Sequence, residues 1–295
     1  MSIVAEKRAA TLPGQVDGRL EQKPTRSIAF RKTGGRPHGP ITRLMSPSDL
    51  GAILKPFVFL DRIDGTDLSR LKTVGMGLHP HSGIATLTWL FEGSVNYEDN
   101  MGRRGRLDHG WMEWMHAGHG AWHGGNFGDS DRLRGFQLWV ALPASAELGQ
   151  PYSTYVRPDS TEGPVTVLLG QHGQAKGPVA APSAINYFAV TLKAGQSWDY
   201  LPPAGHSVAW AAVSGGRLSS PGAIDAGEMV VFGEGEAPIR FVAAQDTDFV
   251  VGSGAKHPHE LVLGHYSVHT SESALRQGEA RIQEIGQSLR AQGRI

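Results

Sequence analysis

Short apolar runs separated by glycine, proline and aspartate recur along most of the chain, and they predict a β protein. In the first half the predicted strands lie at 27–31, 57–61, 85–92, 111–115 and 136–141. In the second half they lie at 165–169, 186–193, 207–214, 228–232, 239–243 and 249–252. Runs of this length and spacing are typical of antiparallel sandwiches or barrels rather than of alternating β and α units. The pattern favours two related β-barrels.

The C-terminal segment alone has the periodicity of a helix. Thr270 or Ser271 can cap it, and Glu272 favours its first turn. Its apolar stripe consists of Ala274, Leu275, Ala280, Ile282, Ile285 and Leu289. A single helix on a β protein usually covers an exposed sheet edge or face, which we expect here.

These patterns divide the chain into four parts. Residues 1–25 are polar and aperiodic and are predicted to form a flexible arm. Residues 26–145 form the first predicted barrel, 146–262 the second, and 263–295 the C-terminal segment with its helix. The stretch 142–151, which is rich in small residues and proline, is predicted to connect the two barrels.

Composition narrows the functional classes. The 295 residues include 28 Lys+Arg and 28 Asp+Glu, so the formal net charge is zero. This balance argues against direct binding of nucleic acid or of a membrane surface, both of which favour a basic excess. The absence of cysteine excludes disulfides, thiolate metal sites and cysteine nucleophiles. No apolar run is long enough for a signal peptide or a membrane span, so we expect a cytoplasmic protein.

Histidine is distributed unevenly. Of the 13 histidines, six lie between residues 79 and 123, and four more lie between 257 and 269. His79 and His81 flank Pro80, and residues i and i+2 of an extended segment point to one face. Two imidazoles on one face can bind one metal ion, and Pro80 suits an edge strand. His123 follows a glycine-rich turn that could bring it to the same site.

Further motifs resemble one family. Residues 77–93, GLHPHSGIATLTWLFEG, are similar to the first signature of the pirin family, whose members are bicupins of the cupin superfamily. The similarity continues through 97–102 (YEDNMG), 114–120 (WMHAGHG) and Trp122-His123, and it extends to 142–152 and the terminal helix. The resemblance implies two stacked cupin-type β-barrels, with a metal ion, usually iron, in the first.

The resemblance also implies a ligand set and an activity. Pirins bind their metal with three histidines and a glutamate, and the histidines correspond to His79, His81 and His123. The glutamate position is occupied by Gly125, which has no side chain. The implied activity is that of a quercetin 2,3-dioxygenase, with iron(II) as cofactor and a small aromatic substrate such as a flavonol. Iron, manganese, cobalt, nickel and copper all accept such ligands.

The glycine leaves the fourth ligand position open. Asn126 and Glu113 are candidates to fill it, as are His116 and His119. Loss of a carboxylate that can act as both ligand and base weakens the catalytic prediction more than the metal prediction. On this reasoning a Gly125→Glu substitution is expected to tighten metal binding.

Three hypotheses on function remain. The first is a quercetinase-type oxidoreductase, the second a non-catalytic pirin-like regulatory protein that binds a protein partner, and the third another metalloenzyme, such as a hydrolase or isomerase, that uses the three histidines. The 257–260 motif HPHE is predicted to be a surface loop, and the second barrel is predicted to lack metal. Most tryptophans of the first half are predicted to pack in the barrel core, although such rings could also line an aromatic pocket.

Overall fold

A computed structural model describes residues 25–32, 34–68, 75–127 and 130–295. It confirms the all-β class with a long C-terminal helix; residues 1–24 of the predicted arm lie outside the described residues. The strands of the first half are β1 (Ile28–Lys32), β2 (Arg36–His38), β3 (Ile41–Met45), β4 (Phe57–Thr66), β5 (Gly75–His81), β6 (Ile84–Glu92), β7 (Ser94–Asp99), β8 (Arg104–Asp108), β9 (Met112–His116), β10 (Ala121–Asn126), β11 (Arg132–Ala141) and β12 (Tyr152–Val156).

The second half continues the series after a short connection. Its strands are β13 (Thr161–Glu162), β14 (Val165–Leu169), β15 (Gln171–His172), β16 (Ala175–Lys176), β17 (Ile185–Leu192), β18 (Ser197–Tyr200), β19 (Val208–Gly215), β20 (Arg217–Ser219), β21 (Ala223–Asp225), β22 (Met229–Phe232), β23 (Ile239–Ala243), β24 (Thr247–Gly254), β25 (Val262–Leu263) and β26 (Val268–His269). The helices are α1 (Leu50–Leu54) and α2 (Glu272–Ala291).

Each barrel combines a large sheet with a small one. The first barrel has a seven-stranded sheet in the order β12-β9-β6-β11-β4-β3-β2 and a four-stranded sheet in the order β5-β10-β7-β8. The second has a seven-stranded sheet in the order β1-β22-β19-β24-β17-β14-β13 and a four-stranded sheet in the order β18-β23-β20-β21. Strand pairing in these sheets is antiparallel throughout, which agrees with the short connections seen in the sequence.

The two barrels are stacked through their large sheets, which share the largest apolar core. Leu60, Leu87 and Leu138 of the first sheet belong to the same buried cluster as Ala212 and Val250 of the second. Alternation along each strand sends every other side chain into this core and the rest into the barrel interior. The large sheet of the first barrel can therefore carry polar residues on its inner face, while the face that packs on the second barrel is apolar.

Aromatic and ionic contacts join the two large sheets. The rings of Phe57 and Trp210 meet edge to face, with centroids 5.5 Å apart. At the margin of the interface the guanidinium of Arg134 pairs with Asp248 at 2.8 Å and with Glu92 at 2.9 Å. These contacts fix the position of one barrel against the other.

The ends of the chain cross between the barrels. Strand β1 precedes the first barrel in sequence but pairs with β22 of the second. Strand β12 pairs with β9 in the first sheet, so the stretch 142–151 joins two strands of one sheet instead of connecting the barrels. Strand pairing thus crosses the 145/146 boundary expected from sequence.

Helix α2 packs on the small sheet of the first barrel. Ser271 is its N-cap and accepts a hydrogen bond from the backbone N–H of Ala274 at 3.2 Å, as the sequence predicts. Ile285 and Leu289 pack against Trp122 of β10, whose indole N–H donates to the carbonyl of Ile282 at 2.9 Å. The helix therefore covers the edge of the small sheet that carries β5 and β10. One predicted stripe residue, Ala280, is exposed, because it lies on the opposite side of the helix.

The interior of the second barrel is apolar and aromatic. Trp198, Phe241 and Phe249 pack together there with centroid separations between 5.1 and 6.4 Å. Within the described ranges, the only group of histidine and acidic side chains close enough to hold a metal ion lies in the first barrel. No helix of the described chain has the length and apolar character that a membrane crossing requires.

Candidate metal centre

Two neighbouring strands of the small sheet bring His79, His81 and His123 together. His79 and His81 lie on β5, the edge strand, and His123 lies on β10 directly opposite His79. The imidazole centroids are 4.9 Å apart for His79 and His81, 4.7 Å for His79 and His123, and 5.1 Å for His81 and His123. The prediction that the two histidines around Pro80 share one face is confirmed, as is the edge position of that strand.

Hydrogen bonds at Nδ1 orient all three rings. His79 Nδ1 donates to the carbonyl of Gly77 at 2.9 Å, and His81 Nδ1 donates to the carbonyl of Tyr266 at 3.2 Å. His123 Nδ1 donates to Oε1 of Glu113 at 2.8 Å. Carbonyl and ionised carboxylate oxygens only accept, so each Nδ1 carries a proton, and in the neutral form of each ring Nε2 carries the lone pair. This is the arrangement of histidines that bind a metal through Nε2.

The Nε2 atoms of His81 and His123 are buried and have no hydrogen-bond partner among the described residues. Buried nitrogens without a partner are costly unless a ligand satisfies them. One ligand atom from each of the three histidines lies within 4.8 Å of the others, so the group could hold a metal ion. The donor set thus fits a divalent transition metal.

Burial keeps two of the histidines, His79 and His81, in the form that binds metal. Burial, together with the nearby His123, lowers the pKa of His79 to about 4. Burial also lowers the pKa of His81 well below its usual value, and the neighbouring imidazoles add to this effect. Both rings are therefore neutral at neutral pH, with lone pairs available to a cation.

Glu113 lies behind His123 and does not join the three-histidine group. Its Oε1 accepts from His123, and its Oε2 accepts from the hydroxyl of Thr88 at 2.8 Å. Burial alone would raise the pKa of Glu113, but the electrostatic interaction and hydrogen bond with His123, together with the bond from Thr88, lower it below its usual value. An ionised carboxylate at this position fixes the orientation of the His123 ring and makes its Nε2 more basic.

Glu113 belongs to a polar row that crosses the inner face of the large sheet. In register order across the strands, the row consists of Arg43, Asp61, Gln137, Thr88, Glu113 and Tyr155. Sequence reasoning did not find this row, although a signal exists. Glu113 and Gln137 are the single polar residues of the apolar runs 111–115 and 136–141, and such a residue usually has a buried partner.

We expect Glu113→Gln to weaken metal binding about 10–100-fold. Glutamine has one accepting oxygen and one NH2 group in place of the two carboxylate oxygens. Its NH2 group would face the donor of either His123 or Thr88, and that hydrogen bond would be lost. Ser253→Ala is a control, because Ser253 is also buried and also bonds the Nδ1 of a histidine, His206, at 2.9 Å, but in the second barrel. Metal titration of both tag-free variants tests this; equal affinities for the two would contradict the role of Glu113.

The glycine at 125 has no room for a side chain. A Cβ built there would lie 2.3 Å from the carbonyl oxygen of Asn96 on the neighbouring strand β7. The pairing of β10 with β5 is irregular between His123 and Gly125. The two residues therefore lack the relation of positions i and i+2 on a regular strand, whose side chains point to the same face.

The other candidates for a fourth ligand also have different surroundings. The side-chain oxygen of Asn126 accepts from the amide of Asn96 at 3.1 Å on the surface. His116 stacks on Tyr152 with centroids 5.1 Å apart, and the backbone N–H of His119 donates to Gly149. The structure therefore brings neither Asn126, His116 nor His119 into the three-histidine group.

A cleft of about 1100 Å³ opens onto His79 at the edge of the three-histidine group. Its lining includes His79, Phe59, Trp139 and Tyr266. The Trp139 ring meets His81 edge to face at 4.7 Å and stacks on Phe59 at 3.9 Å. Of the tryptophans in the first half, Trp139 is the one that lines this cleft.

The far end of that wall is polar. The guanidinium of Arg43 lies 4.0 Å from the Phe59 ring centroid, and it forms two hydrogen bonds to Asp61 at 2.7 and 3.1 Å. The cleft thus has one aromatic wall, with the histidine group at one end of that wall and an ion pair at the other.

The second histidine cluster is structural in part. His259 and Glu260 lie in an exposed loop, as predicted, but His257 is buried and bonds the carbonyl of Leu142 at 3.3 Å. His269 is buried as well and bonds Glu147. These contacts explain the clustering without a second metal.

The fold and the histidines define a bicupin with a candidate metal centre in its first barrel. The pirin family model matches residues 41–140. A pirin-like protein of Caulobacter vibrioides is 33% identical over 227 residues, which span 72% of this chain and 80% of that protein. The chain belongs to the pirin family.

Two further comparisons concern proteins named for a reaction. A Pseudomonas aeruginosa protein, provisionally named quercetin 2,3-dioxygenase, is 28% identical over 229 residues, 73% of this chain and 80% of that protein. The crystal structure of a quercetin 2,3-dioxygenase from Acinetobacter baumannii matches with a TM-score of 0.76 at 22% identity, over 88% of this chain and 90% of that one. At that identity the second likeness establishes the fold alone.

Proposed function

We propose that this pirin is an oxidoreductase of the quercetin 2,3-dioxygenase type, which uses a mononuclear metal ion held by His79, His81 and His123. The observation that carries the proposal is the convergence of three histidines beside a cleft with an aromatic wall, two of them with buried nitrogens that have no partner in the described chain. The 28% identical relative with a quercetinase name supports the reaction class.

We propose iron(II) as the ion and the first barrel, formed by β2 to β12, as the unit that carries it. Neutral imidazoles also accept manganese, cobalt, nickel and copper, so the choice of iron rests on the family resemblance. When bound, the ion would supply a Lewis-acidic and redox-active centre for a substrate and O2. The three rings hold it, and Glu113 keeps the His123 ring in place.

The cleft fits a flat aromatic substrate such as a flavonol. Trp139 and Phe59 offer a stacked apolar wall that excludes water from one face of the substrate. Arg43 and Asp61 are paired with each other at the far end, where a polar substituent could exchange hydrogen bonds with them. The chain's own residues would thus orient the substrate with one edge towards the histidines.

One observation favours a second candidate, a non-catalytic pirin that binds a regulatory partner. In the described part of the chain no carboxylate joins the three-histidine group, and Glu113 is already bonded to His123 and Thr88. A base that could take a proton from a substrate hydroxyl is therefore not part of the ligand set.

Oxygen uptake separates the two candidates. Tag-free protein is loaded with iron(II) without oxygen, desalted, and mixed with quercetin in air-saturated buffer. We expect O2 uptake that matches the loss of quercetin absorbance, and none with metal-free protein. The assay is repeated with manganese, cobalt and nickel. Stoichiometric metal with no O2 uptake for any ion would contradict the dioxygenase and leave the regulatory candidate.

A further inference from the structure

A hairpin from the C-terminal segment closes one side of the candidate metal centre. It consists of β25, β26 and the turn between them, which contains Tyr266. The Tyr266 carbonyl accepts the hydrogen bond from His81 Nδ1, 185 residues away in sequence. The Tyr266 ring centroid lies 5.8 Å from that of His79 and 6.0 Å from that of His81. The same residue thus orients one histidine and faces two of them.

The backbone of Tyr266 is left-handed, with φ of 62°. This conformation is unfavourable for a residue with a Cβ and persists only where its surroundings enforce it. Asp67, with φ of 56°, is the other non-glycine residue of this kind in the described chain, and it does not line the cleft. Such a conformation beside a functional site suggests a role for the side chain that it positions.

A buried hydrogen-bond chain holds the hairpin in place. Ser267 and Ser82 share a bond of 2.9 Å, Ser82 contacts Nε2 of His269 at 3.0 Å, and Nδ1 of His269 donates to Glu147 at 3.0 Å. Ser82 directly follows His81, so the hairpin is attached beside the ligand that it orients.

The order Ser82, His269, Glu147 resembles a hydrolase triad, but it serves as an anchor. All three side chains are buried, with Ser82 fully enclosed. Helix α2 closes over them, since a Cβ on Gly278 would lie 2.5 Å from the Ser82 hydroxyl oxygen. A substrate cannot reach this serine.

We propose that Tyr266 is a specificity-determining residue of the three-histidine site, whose ring forms the wall against which a flat aromatic ligand packs. The inference rests on the proposed function for the type of reaction, whereas the class of ligand follows from the residues of the cleft. Tyr266 lines the cleft and is 40% exposed, so its ring is free to contact a ligand. Trp139, which also contacts His81, supplies the other aromatic surface.

Two substitutions remove the ring and keep the backbone. Glycine and asparagine both tolerate the left-handed conformation, so Tyr266→Gly and Tyr266→Asn retain the carbonyl that orients His81. Tyr266→Phe keeps the ring, and Asp67→Gly is a control that changes the other left-handed residue away from the cleft. Each tag-free variant is titrated with quercetin, with catechol and with azide, in metal-loaded form, and its metal content is measured.

We expect quercetin and catechol to bind about tenfold more weakly to the Gly and Asn variants, because a ring contact is lost. Azide affinity and metal content should stay as in the wild type, and the Phe and Asp67→Gly variants should bind all three ligands normally. Unchanged quercetin and catechol affinity in both ring-deleted variants would overturn the proposal, as would a wild type that binds neither aromatic ligand.

The outcomes also separate this proposal from the proposed function. Ring-dependent binding of quercetin without O2 uptake would support the role of Tyr266 and contradict the dioxygenase. O2 uptake with quercetin affinity that is indifferent to the ring would do the reverse. Loss of metal from the Gly and Asn variants, with Phe retaining it, would contradict the assignment of the ring to ligand recognition.

Discussion

Metal binding should be lost on His81→Ala. The substitution removes a fully buried imidazole whose Nε2 has no other partner in the described chain, and it leaves only two histidines in the group. We expect metal affinity to fall at least about a hundredfold, more than is usual for loss of a hydrogen-bond partner of a ligand. The metal-dependent rise in melting temperature, which depends on affinity, should disappear with it.

Elemental analysis of tag-free protein and thermal unfolding with added metal measure this effect. His257→Ala is a matched control, because His257 is also buried and also bonds a backbone carbonyl, yet it lies outside the three-histidine group. Both variants lose packing, so both should melt earlier without metal. Only His81→Ala should lose the metal response, and a wild-type metal content in that variant would disprove the assigned site.

Gly125→Glu is expected to destabilise the protein without tightening metal binding. The Cβ of any side chain at 125 would lie 2.3 Å from a backbone oxygen of β7, so two paired strands have to move apart. Forcing atoms into a packed region costs about 1–3 kcal/mol, which lowers the melting temperature by several degrees. The family resemblance alone led to the opposite expectation, because it treats the glycine as a ligand position that lacks only its carboxylate.

The Gly125→Ala variant separates the two effects, since it adds the Cβ without the carboxylate. Gly77→Ala on the neighbouring strand is the control, because a Cβ there has no described atom within 4 Å. We expect both variants at 125 to melt earlier than the Gly77 variant, and metal affinity not to rise in Gly125→Glu. A stable Gly125→Glu protein that binds metal more tightly would show that the strands admit the side chain.

Local sequence patterns predict the histidine group well. The spacing of His79 and His81 alone places both rings on one face of an extended strand. The glycine-rich turn and the family motif both pointed to His123, and the structure places it opposite His79. The fold class could also be predicted, because short strands separated by turn residues and one capped helix are recognised locally, whatever the arrangement of the barrels.

Contacts between distant segments could not be predicted. No local pattern indicates that Tyr266 orients His81, because their contact depends on the path of the whole second barrel. The burial of His257 was not predicted for the same reason, because it depends on which neighbouring surface packs against the residue. The error at Ala280 is different, because helical spacing alone places this residue opposite the rest of the apolar stripe. Glu113 was considered as a ligand but not as the hydrogen-bond partner of one, because its direction is set by cross-strand register with Thr88.

The crossing of the chain ends has a consequence for biosynthesis. The three histidines and Glu113 leave the ribosome early, but the carbonyl that orients His81 and the helix that covers β5 are made only after the entire second barrel. Strand β1, in contrast, is made first and must wait for β22 before it can pair. The metal-binding end of the molecule is therefore completed last, and neither barrel expressed as a gene fragment would contain all of its own parts.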